Sequence, residues 1–176
     1  MHVLAGVLLA SSMYSSAQAL AVKSNLLYDI LVTPSLGLEA MMSNRCSVNL
    51  FGSYMPGKIN PKYYWATFSV QPELRYWPVA RMAGPYLGAA YQYRGFNLAG
   101  MPNGRSQGHM QGGGLTVGWH HILSTHWSLE GSLMVGWSHL HWNEYDAPQS
   151  KVITKKRKLN YVGPLDLGLN LVYIIK

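Results

Sequence analysis

The sequence predicts an all-β fold, an eight-stranded antiparallel transmembrane β-barrel of the outer-membrane type with up-and-down topology. Three observations carry this prediction. First, from Trp127 to Trp137 every second residue (Trp127, Leu129, Gly131, Leu133, Val135, Trp137) is apolar or glycine, while Ser128, Glu130, Ser132, Met134 and Gly136 are mostly small or polar. A strand turns successive side chains to opposite faces, so the pattern gives one apolar surface and one polar surface. About ten steps of ~3.3 Å, tilted by about 40°, rise roughly 25 Å, the height of the apolar band on such a barrel. Second, charged residues make up 12% of the 176-residue chain, about half the share of an average soluble domain, while Gly (18) and Tyr (12) are abundant. Third, past Leu20 no apolar run approaches the roughly 18 residues a spanning helix needs, so a membrane crossing must use strands.

The elements follow in chain order. Residues 1–19 read as an export signal: residues 3–10 are an apolar run and Ala17-Gln18-Ala19 is a small-x-small cleavage site, although the leading segment has His2 and neither Lys nor Arg. Residues 20–176 then form one barrel domain. Residues 21–30 are the first strand, broken at Thr33-Pro34 because proline has no N–H for the ladder. Residues 36–42 return, and Ser43-Asn44-Arg45 turns into a third strand over 47–55. Pro56-Gly57-Lys58 opens a loop lasting to Tyr64, and 65–77 is the fourth strand, ended by residues 78–84. Residues 85–98 are the fifth strand, and a Gly/Pro/Asn loop over 99–108 precedes the sixth over 109–121. A turn at Leu123-Ser124-Thr125 leads into 126–142, a basic loop follows, and 160–175 closes the set. One side carries connections of three to seven residues. The other carries connections of nine to seventeen, apart from the short first one near Thr33. Short periplasmic turns, longer outer loops and an even strand count are the outer-membrane arrangement.

The two faces agree with it. Phe68, Val70, Pro72, Leu74 and Tyr76 share one side of the fourth strand and Ser69, Gln71, Glu73 and Arg75 the other. On the last strand Leu165, Leu167, Leu169, Leu171 and Tyr173 oppose Asp166, Gly168 and Asn170. Trp65, Trp137, Trp142 and Tyr161 are expected in an upper aromatic girdle, and Trp77, Trp119, Trp127 and Tyr173 in a lower one. A soluble barrel or sandwich also has one apolar face. Against it, the polar face is rich in Gly, Ser and Asn rather than the Lys and Glu of a solvated exterior.

The inward face places Lys23, Glu39, Glu73, Arg75, Arg94, Glu130 and Asp166 inside a tube that side chains fill at this strand number. Ions held away from water must pair, so these residues are expected to form a structural plug of salt bridges rather than an ion path or open pore. Glu73 and Arg75, two apart on one face, are each expected to pair with neighbouring strands. His139 and His141 share an outward face beside Trp137, where two ligands fall short of the three a catalytic zinc needs, so headgroup contact is expected and no metal or cofactor. His120, His121 and His126 fall near the lower rim as interfacial residues. Gly112-Gly113-Gly114 precedes no helix, so it marks a close approach in the sheet rather than a phosphate cradle. Cys46, the only cysteine, forms no intrachain disulfide.

The net charge of +7 concentrates at Lys151, Lys155, Lys156, Arg157 and Lys158. A local run in one outer loop of an exported chain does not indicate nucleic acid. The loop is expected to be solvated, or to dock lipopolysaccharide or a surface protein above a phosphate-rich leaflet, where each cation gains on the order of 1 kcal/mol.

Four motifs in order carry a family resemblance: Lys23-Ser24-Asn25-Leu26-Leu27-Tyr28-Asp29 with Thr33-Pro34-Ser35-Leu36-Gly37-Leu38-Glu39, then Gln71-Pro72-Glu73-Leu74-Arg75-Tyr76-Trp77, then Tyr161-Val162-Gly163-Pro164 and Gly168-Leu169-Asn170-Leu171-Val172-Tyr173-Ile174-Ile175-Lys176. Together these resemble the DUF3575 family of the Bacteroidetes, small exported proteins of undefined function, over nearly the whole mature chain. The resemblance implies an outer-membrane barrel, sometimes near fimbrial or surface-adhesin components, with outer-membrane lipid and lipopolysaccharide as surroundings and no established catalytic residues. The functional expectation is a non-catalytic structural or surface-interaction protein, with fimbrial or adhesin assembly or anchoring as the linked role. The alternative is a lipid-modifying barrel enzyme. His126-Trp127-Ser128 resembles the His-x-Ser of lipid A deacylases, but Ser128 is expected inside the barrel with His126 turned away and no third residue to orient it.

Overall fold

The computed structural model describes residues 19–60, 63–101, 104–145 and 153–175. Most of the expected export signal, and Lys151, lie outside the described residues. The strands are β1 (Leu20–Asn25), β2 (Ser35–Met41), β3 (Cys46–Asn60), β4 (Tyr63–Tyr76), β5 (Gly84–Met101), β6 (Gly104–Ile122), β7 (Trp127–Tyr145) and β8 (Ile153–Ile175), with one helical turn, α1 (Leu26–Ile30), after β1. Each strand pairs antiparallel with its sequence neighbour, and β8 returns to β1, so the sheet closes as an up-and-down barrel of eight strands. Closure removes the edges that would otherwise leave backbone groups unpaired in lipid.

At the end where β1 begins and β8 finishes the turns are short, over residues 42–45, 77–83 and 123–126. Serine hydroxyls organise two of them: Ser43 Oγ accepts from the Cys46 amide at 3.1 Å and Ser124 Oγ from the Trp127 amide at 3.2 Å. The other end departs from expectation. Most of the stretches expected as loops are paired strand: Lys58 lies opposite Tyr64, Met101 opposite Gly104, and Glu144 opposite Lys155. Left-handed backbone at Gly57 (φ 96) and Gly104 (φ 87), together with bulges beside Lys58 and Ala99, lets pairing run on through Gly- and Pro-rich sequence. The basic segment is corrected in the same way. Lys155, Lys156, Arg157 and Lys158 belong to β8, paired with β7, and not to a loop.

β1 is shorter than expected. Asn25 accepts a hydrogen bond from the Leu27 amide at 3.0 Å and so caps α1, which ends the strand after six residues. The ring therefore closes only as high as Asn25 opposite Asn170 and Ser35 opposite Ser53. Above that level β3 to β8 continue as a six-stranded curved sheet.

The belt is visible on the outer surface. Leu74, Leu115, Leu133, Val135 and Leu167 are exposed there, between Trp119, Trp127 and Tyr173 below and Trp137 above. Four girdle expectations are corrected. Trp77 is fully buried and seals the lower lumen with Ala21, Met41, Met82, Tyr86 and Val172. Trp65 shares its side of β4 with Ser69 and lines an inner cavity. Trp142 lies opposite Arg157 on the side that also carries the fully buried Ser138. Tyr161 pairs with Ser138 because a bulge between Met134 and Val135 shifts the β8 register, reversing its faces above Pro164. These three lie where the strands rise past the ring closure, and each is on the side that faces the inner surface of the upper sheet.

The Trp77 seal yields a first prediction. Trp77 Nε1 donates to Ser47 Oγ at 2.8 Å, and its ring lies 4.9 Å from that of Tyr86. Trp77→Phe keeps most of the apolar volume but removes this bond, so equilibrium urea unfolding in lipid vesicles should show a loss of about 1–2 kcal/mol. An unchanged midpoint would mean that the indole N–H contributes nothing to the seal.

Candidate functional site: the luminal ion-pair network

Five of the seven luminal residues expected from the sequence meet in one buried network. Strand alternation turns Lys23 on β1, Glu39 on β2, Glu73 and Arg75 on β4, and Glu130 on β7 inward, and each is at most 5% exposed. Lys23 Nζ contacts Glu39 and lies 2.6 Å from Glu130 Oε2. Arg75 spans three carboxylates: Glu39 at 3.0 Å, Glu73 at 2.7 Å and Glu130 at 2.9 Å. Glu73 and Arg75 thus also pair with each other along their own strand, where the expectation gave them only cross-strand partners.

The remaining two, Arg94 and Asp166, form a separate pair 3.5 Å apart higher in the lumen. There Tyr28 of α1 accepts from Arg94 Nη2 at 2.7 Å and donates to Asp166. Gln92 Nε2 donates to Gln71 Oε1 at 3.0 Å between the upper pair and the lower network, and Asp166 lines the same void as Lys23, Glu73 and Arg75.

Sequence reasoning missed several members. Glu130 also accepts from Tyr86 Oη at 3.2 Å and from Asn170 Nδ2 at 3.0 Å, and His120 Nδ1 lies 3.4 Å from it. His120 is 2% exposed, so it is a luminal residue and not the interfacial one expected. Ser47 donates to Glu39, and Asn49 and Thr116 donate to Glu73. The Arg75 guanidinium stacks 4.3 Å over the Tyr86 ring. Alternation gave a usable signal for Ser47 and Asn49, which share a face. Tyr86 and His120 sit at strand ends, where the sequence pattern equally suits an interfacial belt.

A void of about 20 Å³ beside the network holds about one water. Two buried cations against three buried carboxylates, with every carboxylate hydrogen-bonded, make a closed polar plug. A buried network of this kind adds little net stability over apolar packing, whereas removing one of its partners is strongly destabilising.

The other singled-out residues do not join the plug. Ser128 is fully buried in the lumen, whereas the His126 ring stacks on Tyr173 on the outer surface at 5.7 Å, so the His-x-Ser pair does not meet. His139 and His141 face outward above Trp137, and His109, directly opposite His141, joins them with ring centroids 5.7 Å apart. Among the described residues no cluster of His, Cys, Asp or Glu has the geometry to hold a metal ion. On β8, Arg157 pairs with Glu144 at 3.2 Å, and Lys158 lies opposite His141.

Desolvation, then Lys158 and then the imidazoles of His139 and His109, hold the His141 pKa below the ordinary histidine value. Each neighbour disfavours the charged form. Removing one of these charges in Lys158→Ala should raise the His141 pKa, read by NMR titration of its ring protons. A fall or no change would remove Lys158 as a cause.

The family model of DUF3575, described as a protein of unknown function, matches residues 3–175. No curated protein matches the sequence. Among solved structures, a major outer membrane protein from Thermus thermophilus is similar at 14% identity and a TM-score of 0.49, covering 91% of this chain and 100% of that one. Neisserial surface protein A is similar at 14% identity and a TM-score of 0.39, covering 89% of this chain and 94% of that one.

Proposed function

This chain belongs to the DUF3575 family, and from that premise we propose that it is a non-catalytic outer-membrane barrel that anchors and displays a surface-interaction platform. The observation that supports this reading most is the pairing of an apolar, aromatic-edged exterior with a charged lumen sealed by the Lys23–Glu39–Arg75–Glu130 network. A soluble barrel would hide the leucines and expose the charges. The plug argues against conduction.

In this reading residues 1–19 are a cleaved export signal and the end where β1 begins and β8 finishes lies in the periplasm. The tall hairpins of β3 to β8 then stand outside the cell, with Lys155, Lys156, Arg157 and Lys158 at or above the headgroups. Lipopolysaccharide phosphates suit this basic strand by charge. A surface or fimbrial protein is the macromolecular partner that the platform would dock.

Heat-modifiable migration of the unboiled membrane fraction tests the barrel, and trypsin added to intact cells tests the orientation. Cleavage within residues 155–158 of intact cells is expected. Cleavage there only after the outer membrane is opened would reverse the orientation. A deletion strain should keep its lipid A pattern, and a changed pattern would replace the scaffold with a lipid-modifying enzyme.

A further inference from the structure

Above the plug the lumen changes character. A cavity of about 190 Å³ opens beside α1, against β3, β4 and β5. Leu31, Met55 and Trp65 contribute apolar surface to it, and Arg94 is the one cation among the described residues that line it. Both hydrogen bonds of Arg94 within the protein use Nη2, and Nη1 and Nε bond to nothing among the described residues. Nη2 belongs to both two-donor edges of the guanidinium, so what remains for a ligand is single hydrogen bonds from Nη1 and Nε. The Arg94 side chain is 31% exposed.

The wall on one side is incomplete as a sheet. Past Asn25 and Ser35 neither β1 nor β2 continues, and the space between β3 and β8 is spanned by α1 and residues 31–34. That segment presents Ile30, Leu31 and Val32 outward, each at least 67% exposed. Val32 has φ 56, a left-handed conformation that is uncommon for a β-branched residue. An apolar, one-turn gate thus stands where a hydrogen-bonded ladder would otherwise separate lumen from bilayer.

We propose that this cavity takes up a free fatty acid from the outer leaflet, with its alkyl chain against Met55, Trp65 and Leu31 and its carboxylate accepting from Arg94 Nη1. Hydrogen bonding selects the head: Arg94, already paired with Asp166, offers only donors, and a carboxylate is purely an acceptor. The volume suits a single chain, since the cavity lies below the roughly 300 Å³ of drug-sized pockets. The inference goes beyond the scaffold reading, which needs no ligand.

The test uses the full barrel in lipid nanodiscs, titrated calorimetrically with sodium dodecanoate, with empty nanodiscs giving the partition baseline. Saturable binding of one dodecanoate per barrel is expected, with at least tenfold weaker binding of dodecyltrimethylammonium. Arg94→Gln should weaken dodecanoate at least tenfold, and Thr67→Phe, which fills the same cavity, should abolish the saturable component. A heat-modifiable gel shift verifies each variant's fold. Wild-type heats that match empty nanodiscs, or equal affinity for the two amphiphiles, would overturn the proposal without any variant. So would folded Arg94→Gln protein that binds like the wild type.

Discussion

Arg75→Met should destabilise the barrel by about 3–5 kcal/mol, the cost of removing one partner from a buried ion pair, and this is the largest effect expected of any single luminal substitution. The reason is a charge count. Arg75 contacts Glu39, Glu73 and Glu130 together, each within 3.0 Å, and supplies one of the two positive charges set against their three negative ones. Without it three buried carboxylates share Lys23, whose contacts reach only Glu39 and Glu130. Glu73 keeps its bonds from Asn49 and Thr116 but loses its cation. Glu130→Gln provides the contrast. It leaves Lys23 and Arg75 against Glu39 and Glu73, a balanced set, and should cost less than half as much. Equilibrium urea unfolding of both variants in vesicles measures the order. A Glu130→Gln cost equal to or above that of Arg75→Met would refute the count, and would make hydrogen bonding to Glu130 the dominant contribution.

Gly136→Val should cost about 3 kcal/mol, since overpacking against backbone leaves nothing free to rotate away. A Cβ at Gly136 would collide with the Gly113 carbonyl oxygen and lie 2.5 Å from Gly114 Cα. Glycines on both strands let β6 and β7 press together where the sheet curls, as the Gly112-Gly113-Gly114 run suggests. Gly131, on the same strand but facing outward, would meet nothing within 4 Å on gaining a Cβ. Gly131→Ala should therefore change stability by no more than about 0.5 kcal/mol. Equal costs at the two glycines would show that strand propensity, and not the close approach, governs this seam.

Much of this architecture is legible in the sequence because a strand in lipid obeys a strict two-residue code. Glu73 and Arg75 are fixed inward once Leu74 and Tyr76 are fixed outward, and Lys23, Glu39 and Glu130 follow in the same way. The code weakens where its cause is absent. Above the ring closure, Trp65 and Trp142 answer to the inner surface of the upper sheet, and the bulge before Pro164 exchanges the faces that Tyr161 would otherwise follow. Nor does alternation distinguish a seal from a girdle. Trp77 and Tyr86 sit at strand ends as belt residues do, yet they fill the lumen, and the space for Tyr86 comes from Gly118, where a Cβ would collide with its ring. The early end of β1 rests on Asn25 as a helix cap, a local preference that an apolar run through Leu26 and Leu27 masks.

Depth-resolved spin labelling tests the central claim most directly. In a Cys46→Ser background, labels placed one at a time at Leu115, Leu133 and Leu167 in lipid vesicles should be relaxed strongly by oxygen and weakly by a water-soluble nickel complex. A label at Lys156, on the basic stretch of β8, should show the reverse. Nickel relaxation at the three leucine sites as strong as at Lys156 would put that surface in water and contradict a lipid-facing exterior.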